Sequence, residues 1–125
     1  MTAGGAPRNM SDPAADRDRH FDEANSHLAV GEIEQAVNGY RAAVDADPEF
    51  FDGWHALAMS LLKAGEVKEA IGCALKATTL RPNDLLAWTG LSQMYVRDGN
   101  IPDAEAAKSN ARILSLGGKV VRDDT

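Results

Sequence analysis

The sequence predicts an all-α protein, an α-solenoid made of three stacked helix-turn-helix units. Glycine recurs at a spacing of 34 residues as Gly31, Gly65 and Gly99, and a fixed period of this length is typical of repeat architectures. Within each unit, apolar residues follow the 3.6-residue period of a helix. No segment alternates with a period of two, so strands are not expected.

The same 34-residue spacing relates other residue types in the same register. The short strings GEIEQA, GEVKEA and GNIPDA begin the second half of each unit. Chance does not account for so many aligned columns, so the repeat is the strongest signal in the sequence. Besides the glycines, the aligned sets are Ala36, Ala70 and Ala104; Ala43, Ala77 and Ala111; Trp54 and Trp88; Leu57 and Leu91; and Pro48 and Pro82.

Each unit divides into two helices separated by a turn. In the second unit, apolar residues recur at helical spacing from Trp54 to Leu62, and Gly65 then ends the helix in a left-handed conformation. The following helix ends before Pro82, because proline cannot continue a helix. Pro102 falls in a first turn, where proline is tolerated. The predicted helices are 17–30, 33–46, 51–64, 67–80, 85–98 and 101–115.

This pattern resembles the tetratricopeptide repeat family, which has a 34-residue period and a conserved set of large and small positions. The resemblance covers residues 17–116 and implies a short right-handed superhelix. The central unit carries the matching residues Trp54, Leu57, Ala58, Leu61, Gly65, Ala70, Ala77 and Pro82. The three units are expected at 17–50, 51–84 and 85–116.

Two tails flank the predicted repeats. Residues 1–16 and 117–125 are rich in Gly, Pro, Ala and Asp, a composition that cannot bury enough apolar surface to fold alone. We therefore expect a disordered N-terminal tail and a flexible C-terminal tail.

The two end units depart from the repeat pattern. His20 and Glu23 replace large apolar residues in the first unit, and Lys108 does so in the third. A terminal repeat needs a polar outer face, so these residues are interpreted as self-capping and the array as complete. The tail is too short for a seventh helix, which leaves an apolar C-terminal edge as a candidate self-association surface. That edge comprises Ile113, Leu114, Leu116, Val120 and Val121.

Composition excludes several classes of protein. The 125 residues include 13 Lys and Arg against 19 Asp and Glu, a net charge of −6, which argues against binding nucleic acid or an anionic membrane. No apolar run is long enough for insertion into a bilayer, and the N-terminus lacks a signal-peptide pattern. We expect a cytoplasmic protein. Its one cysteine excludes a disulfide framework.

Candidate chemistry is sparse. His20 and His27 lie two helical turns apart, roughly 10 Å, which is too far for one metal ion. Cys73 falls in an apolar run with no histidine near it in sequence to activate it. The glycine pairs match no phosphate-binding loop. We predict no catalytic residue, no cofactor and no metal site.

The resemblance implies a concave face, lined by the first helix of each unit, that holds a protein ligand. A mixed apolar and polar surface there suits an extended peptide or one amphipathic helix. Asp18 and Asp52 share a column and would favour a ligand with Lys or Arg at that edge. The alternative for each residue is packing between helices. The predicted groove residues are Asp18, Phe21, Asn25, Leu28, Asp52, His55, Met59, Leu62, Leu86, Thr89, Gln93 and Val96.

One known ligand of the family is not predicted. Tetratricopeptide co-chaperones hold the acidic tail of heat-shock chaperones with a clamp of Lys, Asn, Asn, Lys and Arg. Of these only the first Asn is matched here, by Asn25. Without the cations, a terminal carboxylate has no partner. The matching positions hold Phe21, Asn25, Ala56, Leu86 and Gly90.

Three hypotheses for the function follow. The first is a non-enzymatic adaptor that binds a peptide or helix of another protein in the groove, as a subunit of a larger complex. The second is a scaffold that assembles with itself through the C-terminal edge. The third, an enzyme using His20, His27 or Cys73, is disfavoured. The residues expected to matter most for the first are Phe21, Asn25, His55, Met59, Leu62 and Gln93.

Overall fold

A computed structural model describes residues 12–121, and this part of the chain forms six α-helices and no strand. The helices pair as three hairpins, as the repeat predicts. Their bounds lie within one residue of the predicted ones except at the start of the first helix. The helices are α1 (Pro13–Ala29), α2 (Ile33–Ala46), α3 (Phe51–Lys63), α4 (Val67–Leu80), α5 (Leu85–Arg97) and α6 (Ile101–Ser115).

The first helix begins at Pro13, not at 17 as predicted. The Asp12 carboxylate accepts a hydrogen bond from the backbone N–H of Ala15 at 3.0 Å, and Pro13 occupies the first turn, where its missing N–H costs nothing. This capping pair starts the helix inside the segment predicted to be disordered. The prediction is therefore wrong for residues 12–16. Residues 1–11 lie outside the described part of the chain.

The periodic glycines end the first helix of each hairpin. Gly65 has φ of +86°, a left-handed conformation that only glycine adopts without strain. Behind it, the N–H of Glu66 donates to the carbonyl of Leu61 at 2.9 Å, which closes the end of α3. Gly31 and Gly99 adopt the same conformation, with φ of +81° and +79°. The 34-residue glycine period thus marks the hairpin turns.

Small residues lie where the two helices of a hairpin cross. Ala58 on α3 and Ala70 on α4 are fully buried. In the third hairpin, the Ser92 hydroxyl of α5 donates to the carbonyl of Ala104 on α6 at 2.9 Å, so these two positions face each other directly. Small side chains let the helix axes approach closely. The aligned columns of small residues in the sequence therefore mark the helix crossings.

Successive hairpins stack, with α3 packed on α2 and α5 on α4. The indole N–H of Trp88 donates to the carbonyl of Pro82 at 2.8 Å, and Trp54 makes the same bond to Pro48 at 2.7 Å. Each tryptophan therefore fastens its helix to the loop that precedes it. The largest fully buried side chains between the helices are Tyr40, Leu57, Leu61, Leu91 and Met94.

After α6 the chain turns back toward the loop between α4 and α5. The backbone N–H groups of Val120 and Val121 donate to Asn83 Oδ1 at 2.9 and 3.0 Å, and Asn83 Nδ2 donates to the Val121 carbonyl at 2.9 Å. One side-chain amide thus binds the segment after α6. Among residues 12–121, no helix is both long and apolar enough to cross a membrane.

Candidate protein-binding groove

The first helices of the three hairpins, α1, α3 and α5, carry the predicted groove residues. Between α3 and α5 the approach is close at Gly90: a Cβ placed there would lie 3.4 Å from Met59 Sδ and 3.7 Å from His55 Cε1. Sequence reasoning did not place Gly90 against these side chains. An alanine Cβ here would make ordinary van der Waals contact with both side chains, so Gly90 of α5 lies directly opposite two predicted groove residues of α3.

On α1, packing fixes most of the predicted groove residues. The ring centroid of Phe21 lies 5.5 Å from that of Tyr40 and 5.1 Å from that of Phe50. The Tyr40 hydroxyl donates to Asn25 Oδ1 at 2.5 Å, and burial raises the pKa of Tyr40, which keeps this donor protonated. Leu28 is half-buried against the core. Contact of these residues with a ligand stays a prediction.

On α3, an aromatic stack orients His55. The imidazole lies parallel to the Phe51 ring, with the centroids 5.9 Å apart and an interplanar angle of 7°. The Arg81 guanidinium lies 4.4 Å from the centroid of the same Phe51 ring, an attractive cation–π arrangement. Met59 is half-buried and Leu62 is buried, at 9% exposure. Leu62 therefore belongs to the core, as the packing alternative expects.

On α5, three of the four predicted residues are open to solvent, and Thr89 is half-buried. Leu86 and Val96 are 66% and 55% exposed, and Gln93 is exposed beside them. The Thr89 hydroxyl donates to the carbonyl of Leu85 at 3.0 Å. An open cavity of about 480 Å³ lies at the end of α5, and three predicted groove residues help to line it. Its lining is Leu62, Ser92, Gln93, Val96, Arg97, Glu105 and Lys108.

Charge differs between the two ends of these helices. Asp52 is exposed in the first turn of α3 and Asp18 in the second turn of α1, and Asp18 Oδ1 accepts a hydrogen bond from Arg17 Nε at 3.2 Å. Sequence reasoning missed the opposite end, where Lys63 closes α3 and Arg97 closes α5, both exposed. The signal was available, because these two cations stand 34 residues apart, in the column that follows Leu62 and Val96.

The candidate chemical groups lie apart from this surface and from one another. Burial between helices, together with the nearby Glu69 carboxylate, raises the pKa of the Cys73 thiol to about 11, which keeps it unreactive. His27 Nδ1 lies 2.8 Å from Glu32 Oε1, a local pair at the end of α1. Within residues 12–121, no three His, Cys, Asp or Glu side chains converge on a point that could hold a metal ion.

Solved structures with the same arrangement include a crystal structure of MamA, at a TM-score of 0.78 and 16% identity over 84% of this chain. The TPR2B domain of yeast Sti1, in a pHsp70 complex, aligns at 0.79 and 20% identity over 82% of each chain. The second TPR of Spaghetti (RPAP3), bound to the HSP90 peptide SRMEEVD, aligns at 0.75 and 20% identity, over 79% of this chain and 92% of that one.

These likenesses show the fold alone, since all three identities are low. The chain spans 61% of the length of MamA. No match was found among curated protein sequences. At the level of sequence, the profile described as "Tetratricopeptide repeat" matches residues 21–84 and, overlapping them, 55–111. That match covers most of the three hairpins, and the chain belongs to the tetratricopeptide repeat family.

Proposed function

We propose that this protein is a non-enzymatic adaptor that binds a peptide or an amphipathic helix of another protein in the groove along α1, α3 and α5. The family membership supports protein–protein interaction. Of the similar structures, one is a domain bound to an HSP90 peptide and another is a domain in a pHsp70 complex. The observation that carries the proposal is an uncovered apolar strip. Leu86 and Val96 are exposed near the two ends of α5, and Met59 of α3, opposite Gly90, is half-buried; burying such apolar surface favours association.

The charges along the two sides of the groove, where its helices begin and end, indicate the chemistry of the ligand. A basic side chain would pair with Asp18 and Asp52, and an acidic one with Lys63 and Arg97. Such pairs contribute mainly to orientation and specificity, since exposed pairs add little affinity. The ligand we propose therefore has an apolar face flanked by basic residues on one side and acidic residues on the other.

The groove is tested by capture of a partner from lysate of the native organism with the His55→Glu/Met59→Glu double variant beside the wild type. The two introduced glutamates should abolish capture, because their carboxylates, at half-buried positions of the groove, would lose their hydration when a ligand binds. A second variant, Leu86→Glu/Val96→Glu, changes exposed residues only and should act likewise without disturbing the fold. Mass spectrometry identifies the captured proteins, and circular dichroism checks that the helices are intact.

The matched control is Gln35→Glu/Asn38→Glu, which adds the same two charges at exposed positions of α2, away from the groove. Loss of a partner from both groove variants but not from this control supports the proposal. Retention of the same partner by all the variants would move the binding site elsewhere on the molecule.

A second candidate function, a scaffold that assembles with itself, is favoured by one observation. Leu116, just after α6, is 76% exposed, and Ile113 and Val121 nearby are also exposed, at 40% and 47%. These three belong to the predicted apolar C-terminal edge, whose other members, Leu114 and Val120, are half-buried, and an exposed apolar patch there would favour self-association.

A further inference from the structure

On α6, one face is left open that is covered on the equivalent helices α2 and α4. The corresponding face of α2 is covered by α3, and that of α4 by α5. On α6, within the described residues, the same face borders two cavities of about 490 and 480 Å³. Both cavities include Glu105 and Lys108, so they form one continuous depression along α5 and α6. We call it the terminal furrow and define it by Leu85, Val96, Arg97, Glu105, Lys108 and Arg112.

Residues of the furrow on α6 differ in kind from their counterparts one and two repeats earlier. Val37, Tyr40 and Val44 occupy the equivalent positions on α2 and are at most 7% exposed. On α4 the positions hold Ile71, Ala74 and Thr78, of which Ala74 and Thr78 are buried. On α6 they hold Glu105, Lys108 and Arg112, all exposed. A helix lying here would therefore meet charges at the places where α3 and α5 meet mostly apolar side chains.

The charges of the furrow are mostly basic. Arg97, Lys108 and Arg112 line the two cavities together with a single acid, Glu105, a local sum of 3 − 1 = +2 in a chain of net charge −6. The side chains of the three cations form no hydrogen bond or ion pair with any other residue in the range 12–121. They are available to pair with carboxylates of a ligand.

Between the charges the furrow is lined by apolar side chains together with Ser92, Gln93, Ser109 and Ser115. Leu85 and Val96 are 41% and 55% exposed, and Leu62 and Ala111 contribute to the lining beneath. The 13 residues of α5 give a length of about 20 Å, which suits three to four turns of a helix. The long stems of Lys108 and Arg112 can lie along such a helix while their charged ends reach its flanks.

We propose that the terminal furrow binds an amphipathic helix of a partner protein whose apolar stripe is flanked by Glu or Asp. The helix lies on α6 as α5 lies on α4 and extends the stack by one helix. Its apolar stripe covers Val96 and Leu85, and its acids pair with Arg97, Lys108 and Arg112. This surface overlaps the groove of the proposed function at Leu62, Gln93, Val96 and Arg97, and its residues on α6 lie outside that groove.

A second copy of this chain fits the furrow less well. Its α1 would occupy the position of the next helix, but the outward face of α1 is polar. Arg17, His20 and Glu23 stand there in the places of Phe51, Trp54 and Leu57 of α3. An α1 helix would bring no apolar stripe to cover Leu85 and Val96.

The test uses two synthetic helical peptides of about 14 residues with the same leucine stripe, one flanked by Glu and the other by Lys. Binding to the full chain is followed by amide chemical shifts in nuclear magnetic resonance spectra. We expect the Glu peptide to shift amides of α5 and α6, and to bind more weakly at high salt. The variant Lys108→Glu/Arg112→Glu should lower the affinity for the Glu peptide by roughly tenfold or more and should bind the Lys peptide more tightly than the Glu peptide.

The matched control is Arg19→Glu/Arg41→Glu, which makes the same charge change at exposed positions of α1 and α2, away from the furrow, and should leave binding of the Glu peptide unchanged. The groove variant His55→Glu/Met59→Glu should also leave binding of the Glu peptide unchanged. The capture experiment and the peptide experiment can therefore fail independently, which distinguishes failure of the proposed function from failure of the furrow proposal. Equal binding of both peptides, shifts confined to α1 and α3, or no shift would each overturn the proposal. Concentration-dependent shifts in α5 and α6 without peptide would assign the furrow to a second copy and overturn it too.

Discussion

At the scale of single residues, packing between helices decides whether replacing glycine by alanine stabilises or destabilises the fold. Gly39 and Gly72 lie inside α2 and α4. A Cβ on Gly39 would lie 2.8 Å from Ala24 Cβ and 3.3 Å from the His20 carbonyl oxygen, whereas one on Gly72 would meet nothing within 4 Å. The first position is a helix crossing and the second an open surface.

We predict that Gly72→Ala raises the free energy of unfolding by about 0.5–1 kcal/mol, because alanine is the better helix former. Gly39→Ala should lower it by about 1–3 kcal/mol, because the added methyl separates α1 from α2. Urea unfolding followed by helical circular dichroism measures both. An increase for both variants would show that α1 and α2 do not cross as closely as described.

At the scale of elements, an ion pair joins the start of α1 to the end of α2. Arg17 donates to Asp47 Oδ2 at 2.5 Å, and the backbone N–H of Glu49 donates to Asp47 Oδ1 at 3.1 Å. These two bonds, with that from Arg17 the larger effect, lower the pKa of Asp47. The folded state thus binds this proton less readily than the unfolded state does.

We predict that Asp47→Asn lowers stability at neutral pH and that its effect depends on pH. Since the folded pKa is the lower one, the stabilising contribution is present above the unfolded pKa of about 3.9. It is lost as the pH falls through the folded value. The difference in unfolding free energy between wild type and variant should be constant from about pH 6 to 8 and shrink below about pH 4. An equal difference at pH 7 and pH 3 would contradict the assignment.

At the scale of the whole molecule, the two ends of the stack differ in how well they are sealed. The outer face of α1 carries polar residues, His20 and Glu23, where α3 carries Trp54 and Leu57. At the other end Lys108 and Arg112 are charged, but Leu116 beside them is exposed. Polar end faces oppose the stacking of copies, and a remaining apolar edge favours it.

We predict that, if the apolar C-terminal edge associates, the mass measured by light scattering rises with protein concentration and that Leu116→Asp removes the rise. The reason is that a carboxylate at the centre of the edge would have to be desolvated in the contact. Leu86→Asp, an equally exposed position on the groove, serves as the control and should leave the mass unchanged. A wild-type monomer at the highest concentration would exclude this scaffold.

The sequence by itself determined the repeat, the helices and the turns. Glycine at a 34-residue period, proline after the second helices and apolar residues at helical spacing are local signals, and they place five of the six helices within a residue of their observed bounds. The start of α1 was missed although Asp12 and Pro13 are a local capping signal. The columns of Ala58 and Ala70 could be predicted because only small residues allow helices to cross closely.

Only the tertiary structure decided which predicted groove residues are open and which pack. Leu62 and Val96 share a column, yet Leu62 is buried beneath the next hairpin and Val96 is 55% exposed because no described helix follows α6. The approach of Gly90 to Met59 joins residues 31 positions apart. Such contacts depend on how the hairpins stack, and stacking geometry arises from the fit of many side chains at once, which no local pattern encodes.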